Sequence, residues 1–381
     1  MSCTVRSCAL ALLALAGLSA AEEVFDERHP RVPDQPLPIT FTPWYCSECQ
    51  KDGLIEGEAR EVQMMRRDAS ALAEEIGIKR GWLVIESPTF RIFSNIDGAK
   101  TLHNDSPFAA ADLQRLETIF PKFKPGAQGS YLSSHERAHL YHVRLERMVC
   151  WFRALTGNDA PNLGMGDRFQ VFLIEDTKQY AAFSEKVMGR DFDPRNLAQR
   201  KHVPGEGNFY VFATAADQFK GKDQQLNNFT AHHVGHLIMN GHKDFVSDVW
   251  AWLEEGTAHF FMRRESPKYN FFCLQGVEPP RDFVRSNWEK TIRLMVYRKK
   301  EPSFGTWCDK IHASELTGDQ HALAWSYVDW LSKTDPVRLA KLMDLSAVKG
   351  TTATQAVEEV FGVSPYALHD RWRDWVLEAY K

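Results

Sequence analysis

What this chain of 381 residues lacks narrows the field first. It has no excess charge of one sign: 46 Lys+Arg stand against 50 Asp+Glu, a formal net charge of −4. No long-range field therefore draws it to nucleic acid or to an anionic membrane. It has no internal repeat and no low-complexity tract, which excludes solenoid, collagen-like and disordered architectures. It has no G-x-S-x-G, no Walker loop and no complete G-x-G-x-x-G, because Gly164-Met165-Gly166 lacks the third glycine. Without those strained elbows and phosphate cradles, nothing points to a nucleophile-elbow hydrolase, a P-loop NTPase or a dinucleotide enzyme. Past Ala21, no apolar run approaches the roughly 20 residues that a membrane-spanning helix needs.

The N-terminus carries the first positive signal. Residues Ala9 to Leu18 read ALALLALAGL behind Arg6, and Ser19-Ala20-Ala21 supplies small residues before the acidic Glu22-Glu23. That pattern predicts a secretory signal peptide over 1–21, cleaved near Ala21, with no cysteine at the processing site for a lipid anchor. The mature chain is expected to be soluble and exported, periplasmic or extracellular. Cys3 and Cys8 leave with the signal, and Cys46, Cys49, Cys150, Cys273 and Cys308 remain. An odd count in an oxidising compartment leaves at least one free thiol or an intermolecular pair. Cys46-Ser47-Glu48-Cys49 is open to three readings: a local disulfide, a redox pair or half of a zinc knuckle. There is no second C-x-x-C for a knuckle and no strand-then-helix context for a redox site, so the expectation is a structural disulfide or idle thiols.

Apolar periodicity then places the elements. Gly57 to Ile76 reads as a helix, with Val62, Met65, Ala69, Leu72 and Ile76 along one stripe. Leu83 to Ser94 reads as strand, turn at Pro88, strand, and Arg168 to Ile174 and Gly207 to Thr214 as two more strands. Ser133 with Glu136 is a capping-box start for a long helix ending at Gly157. From Gln224 onward the pattern is mostly helical, with helices near 286–299, 319–333, 353–361 and 364–379. Strands in the first half and helices in the second imply an α+β fold.

The chemistry concentrates in one place. Five of the 14 histidines fall within 28 residues: His232, His233, His236, His242 and His259. His232 and His236 lie four apart in a helical run, so both imidazoles sit on one face, one turn apart, able to share an ion. Glu255 follows within Trp252-Leu253-Glu254-Glu255-Gly256, with 18 residues between it and His236. Two imidazoles and a carboxylate make a donor set suited to an open zinc site.

Here the sequence resembles the gluzincin zinc metallopeptidases, the peptidase-MA-like superfamily, in its secreted bacterial branch. Their pattern is H-E-x-x-H, about 18 residues, then a glutamate in a W-L-x-E-G-x-A-x-[YF]-F context; this chain has W-L-E-E-G-T-A-H-F-F. The segments RFQVFLIEDTKQYAAF, GNFYVFAT, QHALAWSYVDWL and RWRDWVLEAY extend the likeness, less specifically, over about 82–381. The resemblance implies a bilobal fold, with a small N-terminal sheet plus helices followed by a helical C-terminal lobe. It implies one zinc ion on His232, His236 and Glu255, with Glu254 as the alternative carboxylate. It implies a cleft that takes a peptide or protein. The implied division is a signal peptide over 1–21, an N-terminal extension with the C-x-x-C over 22–81, a metal-site domain over 82–266 and a helical lobe over 267–381.

The departure is at the second motif position, where the family's general-base glutamate is replaced by His233. Losing a positioned base typically costs about 10²–10⁴-fold in rate. The expectation is therefore a degenerate H-H-x-x-H site, impaired or inactive in peptide hydrolysis. The alternatives are a non-enzymatic peptide- or partner-binding module, favoured if His233 also fills the open coordination position and closes the site, and an active peptidase with His233 as base. His321 falls where the family has a tyrosine that stabilises the oxyanion, and an imidazole can donate that hydrogen bond; Tyr327, further along, suits helix packing. His259, one turn after Glu255, is placed to orient that ligand or to pack. His242, ten residues after His232, is the alternative third ligand in a three-histidine arrangement, with Asn240-Gly241 ending the helix.

Overall fold

The computed structural model describes residues 45–51, 63–64, 67–160, 162–193, 198–203, 209–219, 221–244, 249–273, 283 and 287–381. The predicted signal peptide and the leader up to residue 44 lie outside the described residues. No helix among the described residues is long and apolar enough to cross a membrane.

The chain is a mixed α+β structure. Its strands are β1 (Tyr45–Cys46), β2 (Gln63–Met64), β3 (Arg67–Asp68), β4 (Leu83–Glu86), β5 (Phe90–Ser94), β6 (Ala99–Leu102), β7 (Gly129–Leu132), β8 (Phe169–Ile174), β9 (Ala198–Val203) and β10 (Phe209–Ala215). Its helices are α1 (Ser47–Lys51), α2 (Ala69–Glu75), α3 (Ala109–Ile119), α4 (Ser134–Thr156), α5 (Thr177–Phe183), α6 (Asp223–Gly241), α7 (Ala251–Glu265), α8 (Trp288–Tyr297), α9 (Gly318–Thr334), α10 (Pro336–Ser346), α11 (Ala353–Phe361) and α12 (Pro365–Ala379).

Six strands form one sheet in the order β1-β4-β5-β8-β10-β9. β5, β8 and β10 run parallel, and the outer pairs are antiparallel. All six residues of β8 are buried, as a central strand covered on both faces requires. Side chains alternate across the sheet. Val84, Phe93, Phe172 and Val211 face α2 and α5, whereas Ile85, Ile92, Val171 and Phe212 face α4 and α6 and open into the larger core. That core continues through α7 into α9 to α12, so sheet and C-terminal helices share one apolar interior.

The helix read over Gly57 to Ile76 is corrected. Gln63–Met64 pairs antiparallel with Arg67–Asp68, and the helix begins only at Ala69. The Asp68 side chain accepts from the Ala71 backbone N–H at 2.6 Å and caps it there. The missed β9 (AQRKHV) is an edge strand whose polar residues hide its period.

A buried ionic lattice fixes the helices that carry the site. Arg137, Arg144 and Arg147 share one face of α4. Arg137 and Arg144 donate to Asp223, at the start of α6, at 2.8 and 3.0 Å. Arg147 reaches Glu265, at the end of α7, at 2.7 Å, and also pairs with Asp112 of α3. Three guanidiniums meet three carboxylates, so no charge in this lattice is buried alone.

Candidate metal centre

Two glycines bring the site helices together. A Cβ on Gly235 of α6 would stand 2.9 Å from the Ala258 Cα of α7, and one on Gly256 of α7 would stand 2.5 Å from the Ala324 carbonyl oxygen of α9. Glycine inside a helix costs about 0.5–1 kcal/mol relative to alanine. At these two crossings that cost permits backbone approach. α6 thus lies against α7, and α7 against α9, closely enough for short side chains from all three to meet.

His232 and His236 of α6 and Glu255 of α7 converge, and Cys273, on the chain after α7, joins them. The His232 and His236 Nε2 atoms are 3.3 Å apart. Glu255 Oε1 lies 3.4 Å from His236 Nε2, and Oε2 lies 3.8 Å from His232 Nε2. Cys273 Sγ lies 3.2 Å from His232 Nε2 and 3.4 Å from His236 Nε2. Four donors at zinc–ligand lengths of about 2.0–2.3 Å around a tetrahedral centre would stand about 3.3–3.6 Å apart. The spacing matches, and Glu255 Oε1 is buried without a hydrogen-bond partner, an acceptor aimed into the cluster. These residues can hold a metal ion.

The surroundings orient the donors. His236 Nδ1 donates to Glu254 Oε1 at 2.8 Å, which turns Nε2 toward the cluster. Glu254 also accepts from Asn240 Nδ2 at 2.7 Å, and Arg200 Nη1 lies 3.6 Å away. Of the two adjacent glutamates, Glu255 meets the imidazoles from inside and Glu254 holds His236 from behind. Burial opposes ionisation of Glu255, but the imidazoles of His236 and His321 overcome it and hold the carboxyl well below the usual range. Burial, then the nearby His259 and His236 rings, drives His232 well below the ordinary imidazole value.

Each remaining predicted residue has a definite place. His321 Nδ1 lies 3.2 Å from Glu255 Oε2, and His259 Nε2 lies 3.7 Å from the same oxygen, so both sit behind the glutamate on its α9 and α7 sides. The His233 ring is stacked on Phe212 with centroids 5.5 Å apart, edged by Phe229 at 4.4 Å, and its Nδ1 is 4.0 Å from Cys273 Sγ. Burial and the Arg200 charge push it well below the ordinary imidazole value. His242 faces away: Nε2 lies 3.2 Å from Asp344 Oδ1, and Nδ1 lies 2.9 Å from Asn158 Nδ2. Among the described residues it joins no donor cluster with His232 and His236. Tyr327 pairs with His369 Nδ1 at 2.6 Å in the C-terminal core.

Sequence reasoning missed Cys273, a lone cysteine with no spacing rule. It also missed a literal H-E-x-x-H, His135-Glu136-Arg137-Ala138-His139, at the start of α4. Of the disulfide or idle thiols expected at Cys46 and Cys49, the disulfide is corrected: the two sulfurs are not bonded to each other, and both face the imidazoles of His135 and His139. Compared with protein-family models and with curated proteins, the sequence matches none.

Proposed function

We propose that the chain is an exported, metallopeptidase-like protein of gluzincin type that binds zinc in a closed site and does not hydrolyse peptides. The W-L-E-E-G context and the pairing of an H-x-x-x-H helix with a glutamate helix support the gluzincin reading. The observation that carries the closed site is Cys273 Sγ at 3.2 and 3.4 Å from the two imidazoles. With a coordination position open to water, a site of this kind supplies Lewis-acid chemistry; filled by four protein donors, it supplies structural stability. The chain's own residues agree with the second role. Cys273 takes the position substrate would need. His233, at the position of the base, is clamped between Phe212 and Phe229 and held neutral, with its Nδ1 directed at the Cys273 sulfur rather than at open solvent. Any partner would then be a peptide or protein bound on the scaffold without turnover.

The test combines metal analysis with hydrolysis of a fluorogenic peptide mixture. His236→Ala and Glu255→Ala should each lose one equivalent of zinc relative to the parent. The parent should be inactive, and Cys273→Ser with His233→Glu, which reopens the site and restores a base, should gain chelator-sensitive hydrolysis. Hydrolysis by the parent would overturn the closed-site reading. Unchanged metal content in the alanine variants would overturn the centre itself.

A further inference from the structure

The second donor cluster shares no residue with the centre above. We propose that Cys46, Cys49, His135 and His139 hold a structural zinc ion that pins the edge strand β1 and the short helix α1 to the first turns of α4.

The donors come from two places far apart in sequence. Cys46 ends β1 and Cys49 lies in α1; His135 and His139 lie one turn apart on α4. Cys46 Sγ is 3.3 Å from both imidazole Nε2 atoms. Cys49 Sγ is 3.3 Å from His135 Nε2 and 3.2 Å from His139 Nε2. The sulfur–nitrogen edges around a tetrahedral zinc are about 3.5 Å, so all four observed edges match one shared ion. C-x₂-C with H-x₃-H is a donor set that selects zinc in tetrahedral S₂N₂ geometry. The Cys49 backbone N–H donates to Cys46 Sγ at 3.4 Å, a contact that orients a metal-bound sulfur. Phe120 meets both imidazoles edge-on, at centroid distances of 4.9 and 5.0 Å, and forms an apolar wall. Cys46, Cys49 and His139 are buried.

The glutamate of this H-E-x-x-H is engaged elsewhere. Glu136 Oε2 accepts from the Ser133 backbone N–H at 2.8 Å and from Ser133 Oγ at 2.9 Å, completing the capping box of α4. It is turned back to the helix start and not toward the cluster. Four protein donors and no facing base make this a structural site. Its mechanical role follows from the element it holds: among the described residues β1 spans two residues, pairing Tyr45 with Glu86 and Cys46 with Ile85. A strand that short gains little from its ladder, and a metal tie to α4 secures the sheet edge.

The test uses the full chain with Cys273→Ser, so that sulfur ligation can arise only from the second cluster. Loaded with Co²⁺, this protein should show thiolate-to-cobalt charge transfer. Cys46→Ser with Cys49→Ser should abolish that band, Cys49→Ser alone should weaken it, and His139→Gln should weaken Co²⁺ binding at least about tenfold, the lower end of the loss seen when even a ligand's supporting partner is removed. In the unmutated chain, zinc should protect Cys46 and Cys49 from alkylation and chelation should expose them, with Cys150 and Cys308 as internal references. Alkylation of Cys46 and Cys49 that ignores metal, or recovery of a Cys46–Cys49 disulfide, would overturn the proposal whatever the fate of the His232 centre.

Discussion

Gly235→Ala tests how the site is assembled. The new methyl would lie 2.9 Å from the Ala258 Cα and 3.1 Å from Phe261 Cδ2. The Phe261 ring can yield, but the Ala258 backbone belongs to α7 and cannot move alone. Carbon–carbon contacts settle at about 3.5–4.0 Å, so the crossing must open by roughly 0.6 Å or more. Overpacking of this kind costs about 1–3 kcal/mol. Replacing a helical glycine returns up to about 1 kcal/mol. The expected net destabilisation is about 1 kcal/mol, seen as a lower denaturation midpoint of the metal-free protein. The effect on metal should be larger in proportion. A donor set tolerates displacements of about 0.2 Å, and the same opening carries Glu255 away from His232 and His236. Zinc affinity, measured by chelator competition, should fall at least about tenfold. A variant more stable than the parent, with unchanged zinc affinity, would refute the claim that this contact sets the donor geometry.

Two further outcomes follow from single contacts. Glu254→Ala removes the acceptor behind His236 Nδ1 and should cost about 10–100-fold in zinc affinity, whereas Glu254→Gln, which keeps an acceptor oxygen, should cost much less; equal losses in chelator competition would show that orientation is not its role. Glu146, buried and hydrogen-bonded by Ser87, is pushed up to about 7 by burial. A carboxyl raised in the folded state stabilises below its unfolded value, and that contribution is lost as pH rises through 7. At about 1.4 kcal/mol per pH unit, the parent should lose on the order of 3 kcal/mol between pH 4.5 and 7 that Glu146→Gln does not lose, and parallel denaturation profiles would refute it.

The site helices were legible because their residues are apolar at helical spacing and their ends are marked. α6 begins at Asp223, beside the Gln224 from which the sequence reads as helical, and α7 carries Glu255 within Ala251–Glu265. The nearness of Glu255 to both imidazoles was legible from motif spacing; the division of labour between Glu254 and Glu255 was not, since it depends on how α7 is rotated about its axis. Cys273 was illegible for a different reason. It belongs to neither helix, so no period or register ties it to the histidines. The pair His135 and His139 was spelled out in the sequence, but its partners stand 86 to 93 residues away, brought alongside by sheet pairing. A two-residue strand leaves no periodic trace from which that pairing could be read.

The two donor sets have the same electrical count. Two thiolates at the α4 cluster, and one carboxylate with one thiolate at the α6–α7 cluster, each sum to −2 when ionised, the imidazoles adding nothing. A dication renders each enclosed set neutral, whereas a monovalent ion leaves a net charge in a low-dielectric interior, where charge is expensive. Without the ion, that expense is relieved by protons held on the imidazoles within the set: against burial, the Glu255 and Cys273 charges keep His236 raised well above the ordinary imidazole value. Loading either cluster therefore expels protons, and the protein's grip on its dications tightens as the medium becomes more alkaline.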